Sequence, residues 1–219
     1  NSGLLPVATV GAWLANSKTA DVSPSANTLT ENGTVTEAAV ESGAELLGYS
    51  GFSDSTNYFS RASDADWDVV GTGTITASGW FKCTGIVSGA SQYLIAFGNS
   101  GVSIRWNVYV NDSGQLGLSD VGDSASVYNN GTGTVTDSLW HRFDYVRVSS
   151  TERYLYLDGV LIVSSTTDAG SISDSGNLPL SIGGFAVTGG ASAQNCTLAL
   201  VRLSATAPTA TQVRQMYDA

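Results

Sequence analysis

The feature that most constrains this chain is its rhythm. Short runs rich in Val, Ile, Leu, Thr, Tyr and Trp recur along its length, separated by clusters of Gly, Asn, Asp and Ser. Side chains of that kind favour a pleated, half-buried surface, and the separating residues are those that turn a chain, so the pattern predicts strands joined by tight turns. The clearest case is Arg153 to Leu157 followed by Val160 to Val163. Asp158-Gly159 between them can adopt the positive φ values of a type I′ turn, which predicts a hairpin. A second hairpin joins residues 102–110 to residues 115–118 through Asn111 to Gly114. Further strands are predicted over 75–82, 92–97, 140–148, 178–182 and 196–203. Alternation is plainest in 102–110, where Val102, Ile104, Trp106, Val108 and Val110 share one face and Ser103, Arg105, Asn107 and Tyr109 the other. About a dozen strands exceed what one open sheet carries without curling, which predicts two packed sheets.

Composition excludes several alternatives. Of 219 residues, 42% are hydrophobic and only 13% charged, too apolar and too weakly charged for a disordered chain. The Leu, Glu, Lys and Ala excess of a helical protein is missing. One helix is predicted, at the C-terminus, where Thr209 and Gln212 form a capping box after Pro208 and Val213, Met216 and Tyr217 supply a docking face. No internal repeat or linker divides the chain, so residues 1–219 read as one domain. The net charge of −10, with Lys18 and Lys82 the only lysines, argues against nucleic acid and anionic membranes. No apolar run approaches the roughly 20 residues that span a bilayer. The segment 4–14, with Pro6, Gly11 and no preceding basic residue, does not read as a signal peptide. Cys83 and Cys196 fit no metal spacing and read as two buried thiols, with a single disulfide as the alternative.

Several pieces, taken in order, resemble a known family. Thr74-Ile75-Thr76-Ala77-Ser78-Gly79-Trp80-Phe81-Lys82, Trp140-His141, Leu155-Tyr156-Leu157-Asp158-Gly159, Leu180-Ser181-Ile182-Gly183 and Leu198 to Leu203, with the closing helix, look like the strand motifs of laminin-G-like, concanavalin-A-like jelly rolls. Asn57 to Arg61 is similar to one of that family's first strands. The resemblance implies an all-β, two-sheet antiparallel jelly-roll sandwich with a short C-terminal helix. The Ser/Thr/Gly-rich, lysine-poor flavour looks most like versions found in phage and other viral structural proteins. Because that fold carries lectins, receptor modules, virion decorations and glycan hydrolases alike, function has to be argued from residues.

A retaining glucanase needs two carboxylates about 5 Å apart, which this fold usually supplies as alternating acidic residues on one strand. Glu31, Glu37, Glu41, Glu45 and Glu152 are the only glutamates and none has a partner in that pattern. His141 is the only histidine, and the resemblance implies a structural role for it at the start of a strand. Gly71-Thr72-Gly73 and Gly131-Thr132-Gly133 are turns, since no helix follows either. A non-enzymatic protein is therefore expected. Asp64, Asp66 and Asp68 alternate oxygen ligands in a loop and form the candidate calcium site, with a solvated acidic loop as the plainer reading. Sugar binding needs an aromatic face and planar polar groups. Trp67, Tyr93, Tyr109 and Tyr128, with Arg105, Asn107, Asn129 and Asn130, are the available pieces, and residues 128–131 read as a loop. Trp13, Trp80, Trp106 and Trp140 are assigned to the core. Asn-x-Ser/Thr sequons at Asn32, Asn111, Asn130 and Asn195 are as many as chance supplies in so Ser/Thr-rich a chain.

Two functional readings follow. The first is a virion surface protein, decorating a capsid or sitting on a tail or fibre, assembled as a homo-oligomer with other virion proteins and binding host-surface glycans. The second is a secreted, extracellular bacterial carbohydrate-binding or adhesion module. No cofactor is required in either, and Ca²⁺ at the acidic loop is the one candidate.

Overall fold

The computed structural model describes residues 9–53, 56–64, 73–99, 103–122, 125–172, 178–184 and 192–218. Among these, the strands in chain order are β1 (Thr9–Trp13), β2 (Thr30–Asn32), β3 (Thr36–Ala39), β4 (Leu47–Ser50), β5 (Tyr58–Arg61), β6 (Ile75–Cys83), β7 (Gln92–Asn99) and β8 (Ser103–Val110). They continue as β9 (Leu116–Val121), β10 (Ser126–Asn130), β11 (His141–Ser149), β12 (Glu152–Leu157), β13 (Val160–Ser165), β14 (Leu180–Ile182) and β15 (Cys196–Ser204), and α1 (Ala210–Asp218) closes the chain. The larger sheet runs β13-β12-β11-β6-β15-β4-β3, with β1 also paired to β15, and the smaller runs β10-β9-β8-β7-β14-β5-β2. Every pairing is antiparallel. This is the two-sheet sandwich that the motif order implied, and both expected hairpins are present. Asp158 and Gly159 turn the first at φ 51° and 72°.

Period-two alternation sorts each strand between core and outside. From β6, Ile75, Ala77, Phe81 and Cys83 enter the core; from β8, Trp106, Val108 and Val110 do; from β11, Phe143 and Tyr145. The sequence assigned four tryptophans to this layer. Trp13 and Trp106 lie in it, buried. Trp80 and Trp140 do not: both are half-buried, and both line a recess on the outer face of the larger sheet. The alternation explains Trp80, which shares its side of β6 with Thr76 and Ser78 rather than with Ala77 and Phe81. Residues 128–130, read from the sequence as a loop, belong to edge strand β10, where they pair with β9 on one side only.

Cys83 and Cys196 form a disulfide, which corrects the reading of two buried thiols. They are 113 residues apart, yet β6 and β15 are neighbours and the two cysteines face each other directly in register. Beyond them β15 carries a bulge, its register against β6 shifting between Ala199 and Arg202. Leu200 there has a left-handed backbone, φ 50°, held by its N–H donating to the Leu14 carbonyl at 3.1 Å. Such a conformation costs a leucine about 1–3 kcal/mol. The C-terminal helix begins as its capping box indicated, with the Thr209 N–H donating to Gln212 Oε1 at 2.8 Å and the Gln212 N–H to Thr209 Oγ1 at 3.3 Å. Val213 then packs on Val146 and Tyr156, on the outer face of the larger sheet.

One polar cluster lies inside the sandwich. Asp120, pointing inward from β9, meets Arg147 of β11 and Arg153 of β12, and none of the three is exposed. Arg147 Nε donates to Asp120 Oδ2 at 3.0 Å, and Arg153 Nε lies 2.8 Å from the same oxygen. The other nitrogens of the two guanidinium groups donate to loop carbonyls: Gly73 and Gly170 for Arg147, Thr167 and Ser150 for Arg153. Removing one partner of a buried charge cluster strands the rest. Asp120→Ala is expected to destabilise the fold by about 3–5 kcal/mol, measured by urea unfolding at neutral pH. A loss below about 1 kcal/mol would contradict this account, since that is the range of an exposed ion pair.

Candidate functional site: the outer face of the smaller sheet

Strand register brings most of the sugar-binding candidates onto one surface. Two rows cross the smaller sheet on its outward side. The first is Tyr93, Tyr109, Gly117 and Asn130, on β7, β8, β9 and β10. The second is Ser181, Ala96, Asn107, Ser119 and Tyr128, on β14, β7, β8, β9 and β10. Arg105 shares the outward side of β8 with Asn107 and is half-buried. Asn129 is the exception: its register partner is Leu118, a core residue, so it belongs to the other face of β10.

Gly117 determines how the first row packs. A Cβ at this position would lie 2.7 Å from Cε2 and Cζ of Tyr109 and 2.4 Å from Asn130 Oδ1. The bare backbone lets the Tyr109 ring lie across β9, and its hydroxyl donates to Asn130 Oδ1 at 2.9 Å. Tyr93 meets the Tyr109 ring edge-on, with centroids 6.2 Å apart. Burial, with the neighbouring phenols of Tyr93 and Tyr128, pushes the Tyr109 phenol up to about 12. Burial and Tyr128 push Tyr93 up as well. Both phenols are therefore neutral hydrogen-bonding groups throughout the physiological range. The Tyr128 ring stands 66% exposed beside them. In the second row, Asn107 is 2% and Ser119 1% exposed, yet Asn107 Oδ1 and Ser119 Oγ have no hydrogen-bond partner.

Of the candidate calcium ligands, Asp64 forms an ion pair with Arg61 at 3.3 Å. Asp66 and Asp68, with the sugar-binding candidate Trp67, lie outside the described residues. The four sequon asparagines all have their carboxamides engaged: Asn32 with Ser60, Asn111 with Gln115, Asn130 with Tyr109 and Asn195 with the Ile86 carbonyl. Ser119 and Gly117 escaped the sequence reading. Each lies one strand away from a residue that was recognised, and only the β8–β9 register reveals them.

His141 sits elsewhere, at the start of β11. Its Nδ1 lies 2.7 Å from Asp158 Oδ2 and its Nε2 3.1 Å from Asp137 Oδ1, so carboxylates occupy both ring nitrogens and neither is left to activate a nucleophile. Asp158 Oδ1 also accepts the Arg142 N–H at 2.8 Å, which ties the hairpin turn to β11.

The sequence comparison decides the family. Residues 53–214 match the family described as the concanavalin A-like lectin/glucanases superfamily. The chain belongs to this superfamily. No curated protein matches it in sequence. Among solved structures it is similar to the binding domain of Paraclostridial Mosquitocidal Protein 1, at a TM-score of 0.77 and 15% identity, covering 96% of this chain and 52% of that one. It is similar to the botulinum neurotoxin serotype G binding domain, at 0.71 and 10%, covering 95% and 50%. It is also similar to domain 4 of AbnA, a GH43 extracellular arabinanase from Geobacillus stearothermophilus solved with arabinotriose, at 0.65 and 14%, covering 96% and 98%. The chain thus spans about half the length of the toxin binding domains and nearly all of the arabinanase domain. At these identities the likeness is one of fold.

Burial pulls the His141 pKa down, but the hydrogen bonds and charges of Asp158 and Asp137 outweigh it, and the net shift is upward from 6.5. The folded chain therefore holds this proton more tightly than the unfolded chain. The stability it adds is full below the ordinary value and is lost as pH rises through the raised one. By NMR, the single histidine is expected to titrate above 6.5, with Asp137→Asn lowering the midpoint. The stability gap between wild type and His141→Gln should be full below 6.5 and shrink as pH rises through the raised midpoint. A midpoint at or below the ordinary value would refute the two-carboxylate clamp.

Proposed function

We propose that this chain is a non-catalytic glycan-binding module that works outside the cell, with its site on the outer face of the smaller sheet. The observation that carries the reading is the coincidence, on that face, of an exposed Tyr128 ring and an exposed Asn130 carboxamide with the recessed neutral groups of Tyr93, Tyr109, Asn107 and Ser119. A pyranose or furanose ring presents C–H bonds to an aromatic face and hydroxyls to planar polar partners, and this surface offers both. Domain 4 of the arabinanase, of similar size and fold, is supporting precedent. Against catalysis stands the use of the carboxylates: Asp120 is held by arginines, Asp144 by Arg142, and Asp137 and Asp158 by His141.

The disulfide supports an oxidising location, and that suits both settings anticipated from the sequence. One is the surface of a virion, as a homo-oligomeric decoration or fibre module beside other virion proteins. The other is a secreted bacterial adhesion module. Asp64, Asp66 and Asp68 are kept within the proposal as a candidate calcium site.

The test is an array of arabino-, galacto-, gluco- and sialo-oligosaccharides probed with calcium and again with chelator, followed by calorimetry on the best ligand. Binding is expected, with Tyr128→Ala weakening it about tenfold or more, which corresponds to about 1.4 kcal/mol. Tyr109→Phe, which loses the bond to Asn130, should weaken it by less. Calcium dependence would bring in the acidic loop. Absence of binding to any glycan by the folded wild type, or equal binding by Tyr128→Ala, would sink the assignment.

A further inference from the structure

A second recess lies on the outer face of the larger sheet, where nothing in the glycan reading places a site. Val40, Leu46, Trp80, Trp140, Ala199 and Leu200 line an open cleft of about 340 Å³ between α1 and the turn joining β3 to β4. Its walls are fixed. Tyr217 of α1 stacks on the Trp80 indole, with centroids 5.9 Å apart and planes 25° apart. Trp140 Nε1 reaches the Val40 carbonyl at 3.4 Å. Its ring lies over Gly48, where an added Cβ would come within 3.4 Å of Trp140 and 2.7 Å of Thr197. The floor is the β15 bulge, whose extra residue turns Leu200 toward the cleft instead of continuing the alternation.

The lining is apolar, and the rim is acidic. Glu41 and Glu45 in the turn beside Val40 and Leu46 are both exposed, and no Lys or Arg occurs between Lys18 and Arg61. On the helix side, Arg214 is neutralised by Asp218 at 2.7 Å. Of the other basic residues on this face, Arg142 is held by Asp144 at 2.7 Å, and Lys82 and Arg202 are half-buried. These properties select the occupant. A sugar would leave its hydroxyls unpaired against such a lining. A second copy of a chain carrying −10 would set acid against acid, and an anionic membrane face would be repelled. We propose that the cleft docks a segment of a partner protein in which a large apolar side chain is flanked by Lys or Arg, with the apolar side chain seated between Trp80 and Trp140 and the basic residues against Glu41 and Glu45.

The probe is a synthetic peptide with a central Phe-Leu pair and two lysines on each side, compared with the same peptide carrying glutamates. Binding to the intact chain is followed by tryptophan fluorescence and calorimetry at low and physiological salt. The lysine peptide is expected to bind and shift the emission, and the glutamate peptide to give no signal. Trp140→Ala and the double variant Glu41→Lys, Glu45→Lys should each weaken the lysine peptide about tenfold or more. Leu200→Gly guards against misfolding, because glycine tolerates this φ: it should retain stability and still weaken the peptide. Tyr128→Ala, on the other sheet, should leave peptide binding unchanged, so this proposal and the glycan site fail independently. No binding of the lysine peptide to wild type, or undiminished binding to Trp140→Ala and Leu200→Gly, would overturn it.

Discussion

Two sheets packed through an apolar layer attract each other without direction, because burial of apolar surface is roughly proportional to area and indifferent to orientation. The Asp120 cluster supplies the direction. One carboxylate on the smaller sheet lies between two guanidinium groups on adjacent strands of the larger, so β9 has a defined position over β11 and β12. The arginines also bind the carbonyls of Gly73, Ser150, Thr167 and Gly170, which closes the loops over this end of the sandwich. A buried cluster with one more positive than negative charge is tolerable because those carbonyl dipoles surround the surplus.

The same pin sets the candidate site. On a strand, fixing one side chain inward fixes its neighbours outward. With Asp120 held in the core, Ser119 must face out and, two residues earlier, so must Gly117. Gly117 admits the Tyr109 ring, Ser119 lies between Asn107 and Tyr128, and the tyrosine surface follows from where a charge sits on the opposite face. A slip of one residue in β9 would break the ion cluster and replace the polar row with leucines.

Local chemistry was legible in the sequence, and adjacency between distant segments was not. The Asp158-Gly159 turn, the alternation in β8 and the Thr209 to Gln212 cap are each contained in a few consecutive residues, and each appears as read. The Cys83–Cys196 bond depends on β6 and β15 being neighbours across 113 residues, and no local pattern reveals that. Trp80 is different, because the information was present. Ile75, Ala77 and Phe81 already marked the core side of β6, and Trp80 fell on the opposite one; its size suggested the core, whereas its parity placed it outside. Trp140 opened the predicted strand 140–148, where it shares its parity with Arg142 and Asp144 rather than with the core residues Phe143 and Tyr145, so there too parity pointed outward. For Tyr128 the turn-forming Asn129 and Asn130 outweighed a weak strand signal, and β10, an edge strand bonded on one side, tolerates such residues where an inner strand would not.

The two outer faces have opposite character, and strand parity explains how one fold holds both. The smaller sheet presents neutral, directional groups beside an exposed ring, a surface suited to a ligand with many hydroxyls. The larger sheet presents an apolar cleft behind an acidic rim, suited to a ligand with one apolar anchor and positive charge. Because inward residues fill one shared core, substitutions on either outer face leave the other's support intact, provided that Asp120 and the cross-strand disulfide remain. A module built this way can hold a carbohydrate on one side and be tethered to a protein on the other without the two contacts competing for surface.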